Sequence, residues 1–230
     1  MKTIGLIGGL SWESTSVYYS YINRFVQREL GGIHSAKCLM YSFDFEEIAA
    51  LQRAGDWETA TEKMVQAAKC LENGGAELIV ICTNTMHLMA EDIVNACNIP
   101  LVHIVDCVVH EIKQQNISKV GLLGTKFTME QSFYKEKLEQ HDIEVLIPNQ
   151  IDRQVIHDVI FNELCRGDFK KSSKQNYLDI INKLVDKGAE GIILGCTEIP
   201  LLINQNNTTV PLFDTTFIHA NKASERALKD

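Results

Sequence analysis

What this chain lacks narrows it at once. It has no cysteine pair spaced as CxxC, although seven cysteines (38, 70, 82, 97, 107, 165 and 196) are scattered along it. Neither a zinc ribbon nor a thioredoxin-like redox motif is therefore available. An odd, dispersed set fits free thiols in a reducing cytoplasm, most of them packing as small hydrophobes. No run of Lys or Arg exceeds two, and acidic residues outnumber basic ones 30 to 22, for a formal charge of -8. That balance argues against nucleic acid or an anionic membrane as the main partner. No apolar run approaches the ~18 residues needed to span a bilayer. MKTIGLIGG enters a strand directly, with no signal-peptide core, so a cytoplasmic protein without a membrane partner is expected.

Cofactor fingerprints are missing too. Gly5, Gly8 and Gly9 do not make GxGxxG, and no GxxxxGK[ST] occurs, so dinucleotide and P-loop readings lack their glycines. The seven histidines show no HxH or HExxH spacing, and no serine lies in a GxSxG elbow. The lysines give no pointer to a pyridoxal Schiff base. The expectation is a protein with no cofactor and no metal.

What is present is alternation. KTIGLIG, AKCLMYSF, ELIVIC and PLVHIV read as strands. Ser14–Leu30 and Trp57–Asn73 read as amphipathic helices, the second through Ala60, Met64, Ala67, Ala68 and Leu71. After Val108 the pattern restarts, with strands KVGLLG, EVLIP, EGIILG and VPLFD. Helices are expected at 130–140, 153–166 and 172–187. Repeated β-then-α units of this length imply an α/β fold with doubly wound parallel sheets. No Pro/Gly-rich linker interrupts them.

The restart is an internal repeat. IGLIGG (4–9) matches VGLLGT (120–125) at an offset of 116, and GAELIVICTNT (75–85) matches GAEGIILGCTE (188–198) at 113. IPLVHIVD (99–106) matches VPLFD (210–214) at 111. Two pseudo-symmetric halves follow, residues 1–107 and 108–214, with the site expected in the cleft between them. A final helix within 215–230 is expected to pack back on the first half.

The repeat sets Cys82 opposite Gly195 and Thr83 opposite Cys196. Strand side chains alternate faces, so Cys82 and Thr83 cannot both face a ligand while the strand persists. Open α/β sheets bind ligands at the carboxyl ends of their strands. Thr83 and Cys196 are thus the candidate pair, and Cys82 belongs to the core. Around them lie Asn84 and Thr85 on one side and Thr197 and Glu198 on the other. Gly8, Gly9 and Ser11, with Gly124, Thr125 and Thr128, supply turns whose backbone N–H groups suit a carboxylate. The same residues serve equally as N-caps of a βα fold.

GLIGGLSWEST, CTNTMH and GCTEIPLL together resemble the aspartate/glutamate racemase family, the cofactor-independent amino-acid racemases, over essentially the whole chain. SFDFEEIAALQRAGDW and LLGTKFTMEQSFY resemble its broad-specificity and aspartate-type branch. The family's glutamate racemases differ, with an Asp-Ser-Gly motif where this chain has Gly8-Gly9-Leu10-Ser11, and GCTH where it has Glu198. The resemblance implies a small acidic amino-acid substrate, a homodimer, and two opposed thiols that exchange the α-proton without pyridoxal phosphate. In most members a cysteine directly precedes Asn-Thr, and here that position is Thr83.

The departure matters chemically. A free thiol ionises near pH ~8.5, whereas an alcohol lies near water's ~15.7, so ionising Thr83 at neutral pH costs on the order of 10 kcal/mol. A hydroxyl can still protonate a carbanion. The resemblance therefore implies that Cys196 takes the α-proton from the L enantiomer and the Thr83 side returns one, with slow or absent reaction from the D form. It further implies substrate contacts from Leu10, Ser11, Asn84, Thr85 and Thr197, with Gln52 for the distal carboxylate. Glu198 and His87 could tune the thiol. The Arg and Lys clamp of some aspartate-specific relatives is not found, and Arg53 and Arg166 are its stand-ins. Other readings stay open: a decarboxylase or cis–trans isomerase of dicarboxylates, and an inactive amino-acid-binding protein.

Overall fold

Each run of alternating strand and helix builds its own small parallel sheet. A computed structural model describes residues 1–229, which fall into two units, one of residues 1–104 with the chain from His219 onward, the other Val105–Ile218. The first holds β1 (Ile4–Gly8), α1 (Trp12–Leu30), β2 (Cys38–Ser42), α2 (Phe45–Ala54), α3 (Trp57–Asn73), β3 (Leu78–Ile81) and α4 (Ala90–Ala96). Its sheet order is β2-β1-β3, every pair parallel. The second follows α5 (Ile104–Gln114) with β4 (Lys119–Gly124), α6 (Lys126–Glu130), α7 (Ser132–Glu139), β5 (Glu144–Leu146) and α8 (Gln150–Asn162). It continues with α9 (Lys171–Asp186), β6 (Gly191–Gly195), α10 (Ile199–Leu202), β7 (Leu212–Asp214) and the start of α11 (Thr215–Leu228), whose residues from His219 belong to the first unit. Its sheet order is β5-β4-β6-β7, again all parallel.

The sequence repeat is a repeat of strand register. Ile4 pairs with Leu78 in the first sheet, and the offsets of 116 and 113 carry that pair onto Val120 and Gly191, which pair in the second. Likewise the isolated bridge Ile79–Leu101 maps onto Ile192–Leu212. The shared register puts Thr83 and Cys196 at equivalent positions beyond the two sheets.

Three elements differ from expectation. PLVHIV is not a fourth strand: only Leu101 bridges to Ile79, with Ile79 N–H donating to the Pro100 carbonyl (2.8 Å) and Val102 N–H to that of Ile79 (2.9 Å). Pro100 has no amide to give a ladder, and Ile104, Val105, Val108 and Ile112 recur at helical spacing and are fully buried in α5. The helix expected at 130–140 is two, broken at Gln131, whose extended backbone (φ -69°, ψ 145°) ends α6 and opens α7. The third is α2, which periodicity did not reveal. Asp44 caps it, accepting from Glu46 N–H at 3.1 Å, and it buries Ile48, Ala49 and Gln52.

The first unit's core forms where α3 lies on the sheet. Ala60, Met64, Ala67, Ala68 and Leu71 make the buried stripe and meet Ile7, Ile79 and Ile81. Burial of Met64 or Leu71 stabilises by roughly 1.5–3 kcal/mol each. The short alanines let the helix sit close to the strands. Asp56 caps it at Thr59 N–H (3.1 Å).

After β1 the chain turns sharply through Gly9, at φ +73°, and a Cβ there would lie on the backbone of Phe43. Gly9→Ala is expected to cost at least about 2 kcal/mol of unfolding free energy, from strain and overlap together. Gly55→Ala, in the left-handed helical region at φ 72° and ψ 17° with nothing within 4 Å, should cost only about 1 kcal/mol. Urea denaturation of the two variants checks the difference.

Candidate active site

The loops that leave β3 and β6 carry the reactive side chains. In the first unit the ladder's last rung is Cys82 N–H donating to the Ile7 carbonyl at 2.9 Å. Cys82 lies one residue past β3 and is still tied to β1 by this bond, with its side chain fully buried, and burial pushes its thiol far above the ordinary range. Thr83 is the first residue beyond the ladder. It alone is partly exposed in the otherwise buried run Ile81–His87. Asn84 and Thr85 follow it into a 3-10 turn, Thr85–Met89, closed by His87 N–H to the Asn84 carbonyl (3.1 Å).

Two further segments reach this strand-end region of the unit. The turn after β1 delivers Leu10 and Ser11, both buried. Ser11 holds φ 141°, a conformation that L side chains rarely adopt, and such strain concentrates at functional turns. It also caps α1: its carbonyl accepts from Thr15 Oγ1 (3.0 Å), while Thr15 Oγ1 accepts from Gly9 N–H (2.9 Å). From α2, Gln52 reaches the turn after Thr83, its Nε2 donating to Met86 Sδ at 3.2 Å. Arg53, the next residue, points to the surface and pairs with Glu46, so it is already engaged away from Gln52.

In the second unit, β6 ends at Gly195, paired with Gly124. A Cβ on Gly195 would sit 2.9 Å from the Leu123 carbonyl oxygen, so only glycine allows this close approach. Cys196 follows, 9% exposed. Its Sγ donates to Glu198 Oε2 at 2.9 Å, and Thr197 Oγ1 donates to the same oxygen at 2.8 Å. Glu198 is itself buried. Burial and then the Glu198 carboxylate hold the Cys196 thiol well above its ordinary range, so it rests protonated.

A third group joins this cluster unannounced by the sequence. Cys165, on the 3-10 turn Leu164–Arg166, also hydrogen-bonds Glu198, and burial and that carboxylate raise its thiol as well. Thus the ELCRGD segment turns Cys165, not the exposed Arg166, toward the site. Thr125 caps α6 through Thr128 N–H (3.2 Å), the structural role open to it from the start. Leu10, Ser11, Gln52, Thr83, Asn84 and Thr85 accordingly belong to the first unit. Cys196, Thr197 and Glu198 belong to the second. Among the described residues no group of three or more His, Cys, Asp or Glu is arranged to hold a metal ion.

A sequence profile for Asp/Glu/hydantoin racemases matches residues 7–223. The chain belongs to this family. A solved structure from Yersinia pestis, described as a provisional Asp/Glu racemase, is 53% identical with a TM-score of 0.93, each chain covered in full. An aspartate racemase homologue from Pyrococcus horikoshii OT3 is 40% identical with a TM-score of 0.85 over 99% of both chains. Among curated proteins, the broad-specificity amino-acid racemase RacX of Bacillus subtilis is 24% identical over 93% of this chain and 92% of its own. These racemases are isomerases, which places this family member in that enzyme class.

The carboxylate beside Cys196 has a measurable consequence. Replacing Glu198 by Gln removes the negative charge that raises the thiol, so more thiolate forms at a given pH. Iodoacetamide labelling of Cys196 at pH 8, followed by mass spectrometry, should accelerate at least about threefold in Glu198→Gln. An unchanged or slower rate would mean that burial alone governs the thiol.

Proposed function

We propose that this protein is a cofactor-independent racemase of acidic amino acids, in which Cys196 takes the α-proton of the L enantiomer and the Thr83 side returns a proton. The observation that carries the reading is positional. Thr83 and Cys196 occupy equivalent places in two sheets that share one register: Thr83 follows Cys82, whose N–H donates to the Ile7 carbonyl, as Cys196 follows Gly195, and Cys82 remains in the core. On the same reading the enzyme is a cytoplasmic homodimer. Leu10, Ser11, Asn84, Thr85 and Thr197 hold the ammonium and α-carboxylate, and Gln52 faces the distal carboxylate.

Cys196 and Glu198 act as one unit. The thiol rests protonated, its proton already aimed at Glu198 Oε2. To serve as base it passes that proton to the carboxylate as the substrate's α-proton moves to sulfur. Between an ordinary thiol and an ordinary carboxyl the transfer is about 6 kcal/mol uphill, and the raised Cys196 thiol makes it steeper, against a barrier of about 17 kcal/mol for turnover on the scale of seconds. A bound ammonium near the thiolate lowers that cost. Thr197 and Cys165, donating to Glu198, keep the carboxylate oriented toward the thiol.

Thr83 is a poor base, because ionising it at neutral pH costs on the order of 10 kcal/mol; the alkoxide left when it donates takes a proton back from solvent, and the same alkoxide is the base when the D form inverts. Racemisation has an equilibrium constant of unity, so kcat/KM for inversion must be equal from the two enantiomers. Facial asymmetry therefore cannot appear as one-way racemisation. It appears in exchange: Cys196 removes and returns the α-hydrogen of the L form with retention, faster than inversion occurs. The D form exchanges no faster than it inverts.

The test is α-deuterium incorporation from D2O into L- and D-aspartate and L- and D-glutamate. The L forms should exchange at least about tenfold faster than the D forms, and Cys196→Ala should abolish both. Rapid exchange of D-aspartate that survives Cys196→Ala would overturn the reading. Tight binding of L-aspartate with no exchange would instead favour an amino-acid-binding protein.

A further inference from the structure

The first unit packs three histidines together, His87 and His219 buried and His103 partly exposed, and one of them grips Thr83. His87 lies four residues after Thr83 on the 3-10 turn, and its Nδ1 is 2.8 Å from the Thr83 carbonyl oxygen. In an α-helix that carbonyl would accept from the backbone N–H of residue 87. Here that N–H goes to Asn84 instead, and the ring supplies the replacement donor. At the ring's far side, Ile104 N–H donates to Nε2 at 3.2 Å. An accepting Nε2 places the hydrogen on Nδ1, so the tautomer is fixed by the partners on both sides.

The ring itself is clamped. The imidazoles of His103 and His219 stand against it, with centroids 4.8 and 5.4 Å away. His219 is anchored in turn, Nε2 to the Val102 carbonyl and Nδ1 to Tyr18 Oη, each at 2.8 Å. Burial and the neighbouring imidazoles keep His87 neutral, and burial lowers His219 to about 4. A neutral ring held by these partners sits directly behind Thr83, the one partly exposed residue between Ile81 and His87.

We infer that His87 is a positioning residue for Thr83: through the Nδ1–H bond to the Thr83 carbonyl it fixes where the reprotonating side chain stands, and so sets inversion without setting α-proton removal. This rests on the proposed racemase reading. Its physical basis is the sensitivity of proton transfer to placement, where a shift of about 1 Å can cost on the order of a hundredfold.

The experiment uses a ratio. L-[α-²H]aspartate consumed in H2O gives two products, L-[α-¹H]aspartate by return on the Cys196 side and D-[α-¹H]aspartate by delivery on the Thr83 side. Their D:L ratio, read by chiral separation and mass spectrometry at early times, is independent of how much active protein is present. It is also independent of the rate of proton removal. His87→Gln puts its amide near the Nε2 position and loses the Thr83 contact. His87→Asn puts its amide near the Nδ1 position and retains it.

The D:L ratio should fall at least about tenfold in His87→Gln, and in His87→Phe, while deuterium loss from the L form stays within about threefold. In His87→Asn the ratio should stay within about threefold of the parent. If His87→Phe does not fold, the Gln and Asn pair decides alone. Unchanged ratios in Gln, or equal falls in Gln and Asn, would overturn the inference and leave the racemase reading standing. No deuterium loss from L-aspartate or L-glutamate in the parent would overturn both.

Discussion

One backbone hydrogen bond decides which side chain leaves the first sheet. Cys82 lies just past β3, and the bond from its N–H to the Ile7 carbonyl ties it to the sheet with its thiol fully buried. Were the pairing register shifted by one residue, the alternation would invert and the thiol would face the other way. The register that sets this rung extends back through Ile4–Leu78, and the same register recurs in the second sheet, where the ladder ends at Gly124–Gly195. There the glycine pair spends no side chain on the last rung, and Cys196 is delivered at once.

The two strand-end loops are supported by opposite electrostatics. Behind Thr83 stands a neutral, fully buried imidazole that donates to a carbonyl and whose protonation is suppressed by burial and by two neighbouring rings. Behind Cys196 stands a buried carboxylate that collects hydrogen bonds from Cys196, Thr197 and Cys165. The pairing suits the chemistry proposed for each side. A hydroxyl that donates needs to be placed, and a neutral partner places it without altering its charge balance. A thiol that must lose and regain a proton needs somewhere for that proton to go, and a carboxylate at hydrogen-bond distance supplies it. Family membership makes a racemase the expected chemistry, and the residues at these two positions carry the proposal that it is an asymmetric one.

Much of this was legible in the residues themselves. The stripe of α3, the strand cores and the internal repeat are short-range signals, and the repeat alone separates Thr83 from Cys82. What was not legible depends on contacts distant in the chain. His219 meets Val102 across 117 residues and Tyr18 across 201, so no local pattern marks the imidazole cluster. Cys165 joins Glu198 only because the turn after α8 folds against α10. PLVHIV read as a strand because its apolar run continues into the helical stripe of α5, and periodicity over so few residues does not separate the two.

The central claim is that Thr83, not Cys82, faces the reacting carbon. Loss of deuterium from D-[α-²H]aspartate in H2O, compared between Thr83→Cys and Cys82→Ala, tests it most directly. A thiol placed at 83 should speed that loss at least about a hundredfold, since a thiol ionises ~7 pH units below an alcohol. Cys82→Ala should leave it within about threefold of the parent. No gain in Thr83→Cys together with abolition of exchange in Cys82→Ala would contradict the account.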